Sequence, residues 1–216
     1  MHLISTVLVA DNHSIMRLGT SVLVKEILPG ASVLHSSTFE ETINLTNVQK
    51  PDLILLEIDI PGGGNTDMVS VLKLRHKHAS ILMFTNYDEQ IFGLRYIHAG
   101  ADGFLTKQTS QEIFKQAVRK VLNKEKYISE ELRNKYINQL FNKNEVKTDP
   151  LTTLSNRELD IARMLIKGVN PKQIAQMLNL HISTVSTYKS RVFEKLNVSN
   201  IIALAEKIEP FRKDMN

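Results

Sequence analysis

Residues 154–191 have the sequence LSNRELDIARMLIKGVNPKQIAQMLNLHISTVSTYKSR, which contains start and stop signals for three short helices. The first follows a capping-box pattern, Ser155 and Glu158, in which each side chain binds the backbone amide of the other residue. Gly168 is suited to end that helix, because glycine tolerates the left-handed backbone of a C-terminal cap. Asn170 can cap the second helix, which has a proline at its first position. Three helices in this order predict a helix-turn-helix.

The third helix is predicted over residues 182–196 and has two different faces. Val185, Val192 and Leu196 share one side at about 100° per residue, which makes it the face for a core. The opposite side carries Ser183, Thr187, Ser190 and Glu194. Short hydroxyl side chains allow a helix backbone to approach base edges in the major groove of DNA. The alternative is a solvated helix with ordinary surface charge.

The charge of the chain is uneven. Residues 151–216 contain 10 Lys and Arg against 6 Asp and Glu, whereas residues 1–150 contain 17 of each, so the net charge of +4 lies in the last 66 residues. A local excess of cations can replace the counterions condensed on a duplex. Lys189 and Arg191 flank the polar face and Lys172 lies near a helix start, so all three are candidate phosphate contacts.

Residues 151–208 resemble the LuxR/FixJ-type helix-turn-helix. The resemblance is carried by Leu154, Arg157-Glu158, Gly168, Ile174-Ala175, Leu178, Thr184-Val185, Arg191 and Lys195-Leu196. It implies that Ser186, Thr187 and Ser190 face bases, with Ser183 and Thr184 beside them on the same helix. The segment 184–191 looks most like the subgroup of response regulators whose partners are hybrid sensor kinases.

The resemblance also implies that the last helix forms a dimer contact. Its apolar stripe consists of Ile201, Leu204, Ala205 and Ile208. Packing of this stripe within a single domain is the alternative.

Residues 1–124 alternate short β-branched runs with helical patterns, which predicts βαβ units and a parallel sheet. Strands are predicted over 6–9, 32–35, 53–57, 81–84 and 103–105, and helices over 13–27, 38–48, 66–77, 88–98 and 109–123. Capping boxes are predicted at Thr38 with Glu41 and at Thr109 with Glu112. The predicted fold class is a doubly wound α/β domain with five parallel strands, followed by a small all-α domain.

Residues 5–123 resemble a response-regulator receiver domain, which accepts phosphate on an aspartate. The motifs are Val9-Ala-Asp11, Leu55-Leu-Glu-Ile-Asp-Ile-Pro-Gly62, Thr85 and Gly100-Ala-Asp-Gly-Phe-Leu-Thr-Lys107. The resemblance implies two acids for Mg²⁺ after the first strand, a nucleophilic aspartate after the third, a hydroxyl after the fourth and a lysine after the fifth. These groups meet at the carboxyl edge of the sheet. Phe104 stands at the position of the family's aromatic switch residue.

The chain departs from this pattern at two positions. It keeps Asp11, Thr85 and Lys107, but Ala10 replaces the first acid and Glu57 replaces the nucleophile. Mg²⁺ then loses a carboxylate ligand. A Glu oxygen is also displaced by about 1 to 1.5 Å from the position of an Asp oxygen, which is enough to slow in-line phosphoryl transfer severely. Phosphorylation-independent regulation is therefore predicted.

Three interpretations of Glu57 stay open. Its carboxylate could contact Thr85 and Lys107 as a phosphoryl oxygen would, it could form an inert ion pair with Lys107, or residual phosphorylation could occur on Glu57 or Asp59. Asp59 is the poorer acceptor, because it lies beyond the strand end. The Gly62-Gly-Gly-Asn-Thr66 loop lacks the Lys of a nucleotide cradle and is interpreted as a connection.

The sequence as a whole predicts a transcriptional regulator with a receiver-like domain (1–124), a helical linker (125–150) and a DNA-binding domain (151–216). Its predicted partners are double-stranded DNA, a second copy of the chain and a possible sensor kinase or partner regulator. No enzyme activity, cofactor, metal or membrane contact is predicted, and the expected location is the cytoplasm, since the chain has no cysteine and no long apolar run. The alternatives are a conventional phospho-activated regulator and a receiver-like module that senses a partner protein or small ligand.

Overall fold

A computed structural model describes residues 6–141 and 150–208, and the chain divides into two compact units between residues 136 and 137. This boundary lies inside the predicted linker. The predicted end of that linker, residues 142–149, lies outside the described residues.

The first unit is the predicted α/β domain. Its strands are β1 (Thr6–Ala10), β2 (Ser32–Ser36), β3 (Leu53–Leu56), β4 (Ser80–Thr85) and β5 (Gly103–Thr106). Its helices are α1 (Ser14–Ile27), α2 (Phe39–Gln49), α3 (Asp67–Arg75), α4 (Glu89–His98) and α5 (Gln111–Leu122), and α6 (Glu130–Phe141) follows them. All strand pairs are parallel, in the order β2-β1-β3-β4-β5. The predicted strands agree with the structure to within one residue at each end.

Both faces of the sheet are buried, as the apolar strands require. Every residue of β3 and β4 is buried. Because side chains alternate along a strand, Leu105 packs with Phe114 of α5 on one face. Phe104 therefore points to the other face, where its ring lies 6.1 Å from that of Tyr96 in α4.

Two predicted caps differ from the structure in detail. Thr38 accepts the amide of Glu41 as predicted, but the Glu41 carboxylate binds the amide of Ser37, one residue earlier. The predicted cap at Thr109 is wrong, because α5 is capped by Ser110, whose hydroxyl accepts the amide of Ile113. Adjacent hydroxyl residues carry the same local signal, and only the course of the chain decides which of them binds the orphan amide.

The segment before α6 lies along the free edge of β5. The Tyr127 amide donates to Asp102 O at 2.9 Å, and the Tyr127 carbonyl accepts the Phe104 amide at 3.0 Å. The Ser129 amide then donates to the Glu89 carboxylate at 2.8 Å. This segment covers an otherwise unpaired sheet edge.

The second unit contains α7 (Asn156–Ile166), α8 (Pro171–Met177), α9 (Ile182–Leu196) and α10 (Ile201–Ile208), after a 3-10 turn at Pro150–Thr153. Both predicted caps form: Ser155 with Glu158 and Asn170 with Gln173 are capping boxes. Gly168 has a φ of 78°, as expected at the end of α7. Ile161, Leu165, Ile174 and Val185 lie in one core cluster. Across residues 6–141 and 150–208, no helix combines the length and apolar character needed to cross a bilayer.

Candidate functional sites

The carboxyl edge of the sheet brings together the four predicted receiver residues. Asp11, Glu57 and Lys107 directly follow β1, β3 and β5, and Thr85 is the last residue of β4. Backbone hydrogen bonds extend the strand pairing through these positions: the Glu57 amide donates to Ala10 O at 2.9 Å and the Lys107 amide donates to Thr85 O at 2.8 Å. The sheet itself therefore holds the four side chains close together.

Glu57 uses both carboxylate oxygens inside this cluster. Oε1 accepts hydrogen bonds from the Thr85 hydroxyl at 2.5 Å and from the Asp59 amide at 3.1 Å. Oε2 forms an ion pair with Lys107 Nζ at 2.5 Å. Neither oxygen is left without an internal partner, so the carboxylate is held in one position.

Lys107 is shared between two carboxylates. Its Nζ also lies 2.5 Å from Asp11 Oδ2, and the side chains of Lys107, Asp11 and Glu57 are 4–6% exposed. Burial of charges is tolerable only when they are paired, and here one cation serves two anions. The ammonium takes up the carboxylate oxygens that a metal would need, and Ala10 offers a methyl group in place of an acid. This donor set does not fit the octahedral oxygen shell of Mg²⁺.

Several contacts around this cluster involve residues that the sequence pattern did not single out. Arg17 of α1 donates to the backbone carbonyl of Asp11 at 2.6 Å. The Tyr87 hydroxyl donates to the Asp59 carboxylate at 2.6 Å, and the Tyr87 ring lies 4.9 Å from that of Phe92. Tyr87 carries no local motif because its partner lies 28 residues earlier, and Arg17 carries none because it binds a backbone carbonyl, which every residue has.

Phe104, the predicted switch residue, is fully buried. Its backbone amide binds the segment before α6 through Tyr127. The cluster also borders a crevice of about 470 Å³, lined by Lys107 together with Asn12, His13, Ser14, Ile15, Met16 and Asn86. Any small ligand that reached Lys107 from this side would enter through that crevice.

The outer face of α9 is the predicted DNA-contacting surface. Val185, Val192 and Leu196 are buried, so the predicted core face is correct. The side chains predicted to face or adjoin DNA bases are Ser183, Ser186, Thr187 and Ser190, which are exposed, and Thr184, which is half-buried. Their contacts with DNA remain predictions.

Aromatic side chains of α9 support two of the predicted phosphate-binding cations. Lys189 Nζ lies 5.3 Å from the ring centre of Phe193, and the Arg191 guanidinium carbon lies 5.9 Å from that of Tyr188. Such contacts favour a cation above the ring face and limit the freedom of a long side chain. Lys172 is exposed in the first turn of α8.

Lys195 has a different role from the other cations of α9. Its Nζ binds Glu158 at 2.7 Å, which ties α9 to the capping box of α7. Burial alone would raise the pKa of Glu158, but hydrogen bonds from Lys195 and from the Ser155 amide outweigh it and lower that pKa. This ion pair keeps Glu158 charged and holds the start of α7 against α9.

The predicted dimer stripe of α10 is only partly at the surface. Leu204 and Ile208 are 0% and 5% exposed within their own domain, so the prediction that they form a dimer contact needs correction. They pack inside the helical domain, which was the alternative interpretation. Ile201 is 38% exposed and its neighbour Ile202 is 74% exposed. A contact through α10 would involve these two side chains.

Comparison with known proteins identifies relatives for both units. Residues 7–119 match the family described as response regulator receiver domain, and residues 152–208 match the bacterial regulatory proteins of the luxR family. Response regulator GacA of Pseudomonas viridiflava is 31% identical over 199 residues, which cover 92% of each chain. Fimbriae Z protein of Escherichia coli (strain K12) is 31% identical and covers 94% of this chain and 95% of its own.

A similar solved structure is that of RcsB from Salmonella enterica serovar Typhimurium bound to promoter rprA in the presence of the phosphomimetic BeF3-. It has a TM-score of 0.76 at 20% identity and covers 95% of this chain and 98% of its own. At that identity the likeness concerns the fold.

Proposed function

Because the chain belongs to the response regulators that join a receiver domain to a LuxR-family DNA-binding domain, we propose that it regulates transcription without being phosphorylated. In this proposal Glu57 permanently takes the place of a phosphoryl group. The protein then binds its operator as a dimer in its unmodified state.

The contacts of Glu57 carry this proposal. The resemblance assigns Thr85 and Lys107 as the partners of a phosphoryl oxygen, and the Glu57 carboxylate binds both at 2.5 Å. Phe104, the predicted switch residue, is fully buried beside Tyr96 in the same structure in which the Glu57 carboxylate binds Thr85 and Lys107. In this proposal, the Glu57 carboxylate makes, without covalent modification, the two contacts that the family obtains by phosphorylation.

The same contacts disfavour phosphoryl transfer. A nucleophilic oxygen needs a free approach to phosphorus in line with the leaving group. Both oxygens of Glu57 are instead bound to internal donors, and Lys107 is already paired with two acids. An attack by Glu57 would first have to break these buried contacts.

DNA binding by the unmodified full chain tests the proposal. The protein is incubated with a metal chelator in one arm, and with Mg²⁺ and acetyl phosphate in the other. Intact mass and affinity for a selected duplex are then measured in both arms. We expect equal masses and equal affinities, because Glu57 already occupies the phosphoryl position.

A gain of one phosphoryl group together with tighter DNA binding would refute the proposal and establish conventional phospho-activation. A double substitution, Ala10→Asp with Glu57→Asp, provides the matched control, since it restores both family acids. This variant is expected to gain mass with acetyl phosphate, which shows that the assay detects phosphorylation in this fold.

A further inference from the structure

The three hydroxyls predicted to face bases donate their protons to the helix on which they lie. Ser186 Oγ donates to Ile182 O at 3.0 Å and Thr187 Oγ1 donates to Ser183 O at 3.0 Å. Ser190 Oγ donates to Ser186 O at 3.1 Å. These bonds follow the pattern by which Ser and Thr within helices satisfy their hydroxyl protons on the carbonyl four residues earlier.

A hydroxyl that has donated its proton remains only an acceptor toward DNA. Each hydroxyl has one proton and two lone pairs, so outward-facing lone pairs are what is left. In the major groove, the donors that match a lone pair are the N6 amino group of adenine and the N4 amino group of cytosine. Guanine O6 and N7 and thymine O4 are acceptors and offer no proton.

We propose that Ser186, Thr187 and Ser190 select base edges that carry an exocyclic amino group, adenine or cytosine, and disfavour guanine and thymine at the positions they contact. This inference rests on the DNA binding in the proposed function. Donation to a guanine or thymine edge would require the hydroxyl to leave its backbone carbonyl. Because that hydrogen bond would be lost, we expect the affinity for adenine or cytosine to exceed that for guanine or thymine by about fivefold at each contacted position.

Ser183 provides an internal contrast. It is exposed on the same helix, and among the described residues its hydroxyl makes no hydrogen bond. Its proton therefore remains available, and it can bind donor or acceptor edges alike. Toward DNA, the Ser183 hydroxyl can therefore donate or accept a hydrogen bond, whereas the other three hydroxyls can only accept one.

The test uses the full chain and duplexes selected from a randomised library. The positions contacted by these hydroxyls are those whose base preference, whatever the base, is lost in Thr187→Val or Ser190→Ala. Where such a position selects adenine or cytosine, the base is replaced by an analogue that lacks only the amino group. Wild-type protein is expected to bind the analogue duplex about fivefold more weakly. At a position assigned to Thr187, the Thr187→Val variant is expected to bind both duplexes equally, and Thr187→Ser should restore the wild-type difference.

Guanine or thymine at these positions, or equal binding of the analogue by wild-type protein, would overturn the inference and leave DNA binding intact. Failure of the chain to enrich any duplex would instead refute the proposed function and the inference with it. Helix content by circular dichroism confirms that each variant is folded. Ser183→Ala identifies the position that Ser183 contacts. If the wild type accepts only amino-bearing bases at that position, the contrast between the two kinds of hydroxyl is wrong.

Discussion

The backbone amide of Phe104 donates to the carbonyl of Tyr127 at 3.0 Å, which joins the predicted switch residue to the segment that leads into α6. The Ser129 amide binds Glu89 in α4, and Leu132 in α6, which is 2% exposed, lies close to Gly93 of α4. Three contacts therefore hold the start of the linker to the edge formed by α4 and β5. These contacts join the predicted switch position to the start of the linker within this unit.

The charge of Glu57 is the first quantity to test. Glu57→Gln keeps the length of the side chain but removes the negative charge opposite Lys107. If that charge holds the active state, the variant should bind DNA at least about fivefold more weakly, by a shift between two receiver states. Asp11→Asn is the matched control, because it removes the other partner of Lys107 and leaves the Glu57 contacts in place. Equal affinities for wild type and Glu57→Gln, with only a lower melting temperature, would favour the inert ion pair.

The cations of α9 should act through phosphates. Lys189→Ala and Arg191→Ala are expected to weaken specific and nonspecific binding together and to reduce the slope of log K against log salt by about one unit each. Fluorescence anisotropy at several salt concentrations measures this slope. Arg119→Ala, an exposed cation on α5 of the receiver unit, should leave the slope unchanged. Unaltered slopes for both α9 variants would contradict the assignment of this helix.

Gly93 of α4 lies close to Leu132 of α6. A Cβ atom at this position would come within 2.7 Å of Leu132 Cδ2, so Gly93→Ala should push the start of α6 away from α4. Faster hydrogen exchange of the Ser129 amide is the expected result. Gly19→Ala in α1 is a matched control, because nothing lies within 4 Å of the added atom. The Gly19→Ala control should gain about 0.5 to 1 kcal/mol of stability from helix propensity. If the Ser129 amide of Gly93→Ala exchanged as slowly as in the wild type, the contact between α4 and Leu132 would not be what holds the linker.

Asp102 should stabilise the receiver unit above acid pH. Burial alone would raise the pKa of Asp102. Hydrogen bonds from Lys73 and the Ile81 amide, together with the charge of Lys126, outweigh burial and bring the pKa below its ordinary value of 3.8. A carboxyl whose pKa is lower in the folded state stabilises the fold above its unfolded pKa, and this contribution disappears as the pH falls through the folded pKa.

Asp102→Asn should therefore lower the free energy of unfolding by about 1.5 to 3 kcal/mol at pH 7, the range for hydrogen bonds to a charged group. The difference from wild type should shrink as the pH falls below 3.8. Urea unfolding of both proteins at neutral and acid pH measures it. A difference that stayed constant across this range would show that the charge of Asp102 does not contribute.

Much of this protein follows from its sequence alone, because the signals are local. Alternating apolar runs defined five strands to within one residue, and caps such as Ser155 and Asn170 lie within a few residues of the amides they bind. The meeting of Asp11, Glu57, Thr85 and Lys107 was also predictable, because parallel strands present their carboxyl ends at one edge.

Tertiary structure alone decided the contacts between residues distant in the chain. No local pattern shows that Lys107 pairs with both Asp11 and Glu57, or that Tyr127 extends the edge of β5. The stripe of α10 was visible in the sequence, but a periodic pattern does not say which neighbour covers it. Packing within the domain buries Leu204 and Ile208 and leaves Ile202 at the surface, because side-chain burial depends on the three-dimensional arrangement of the other helices.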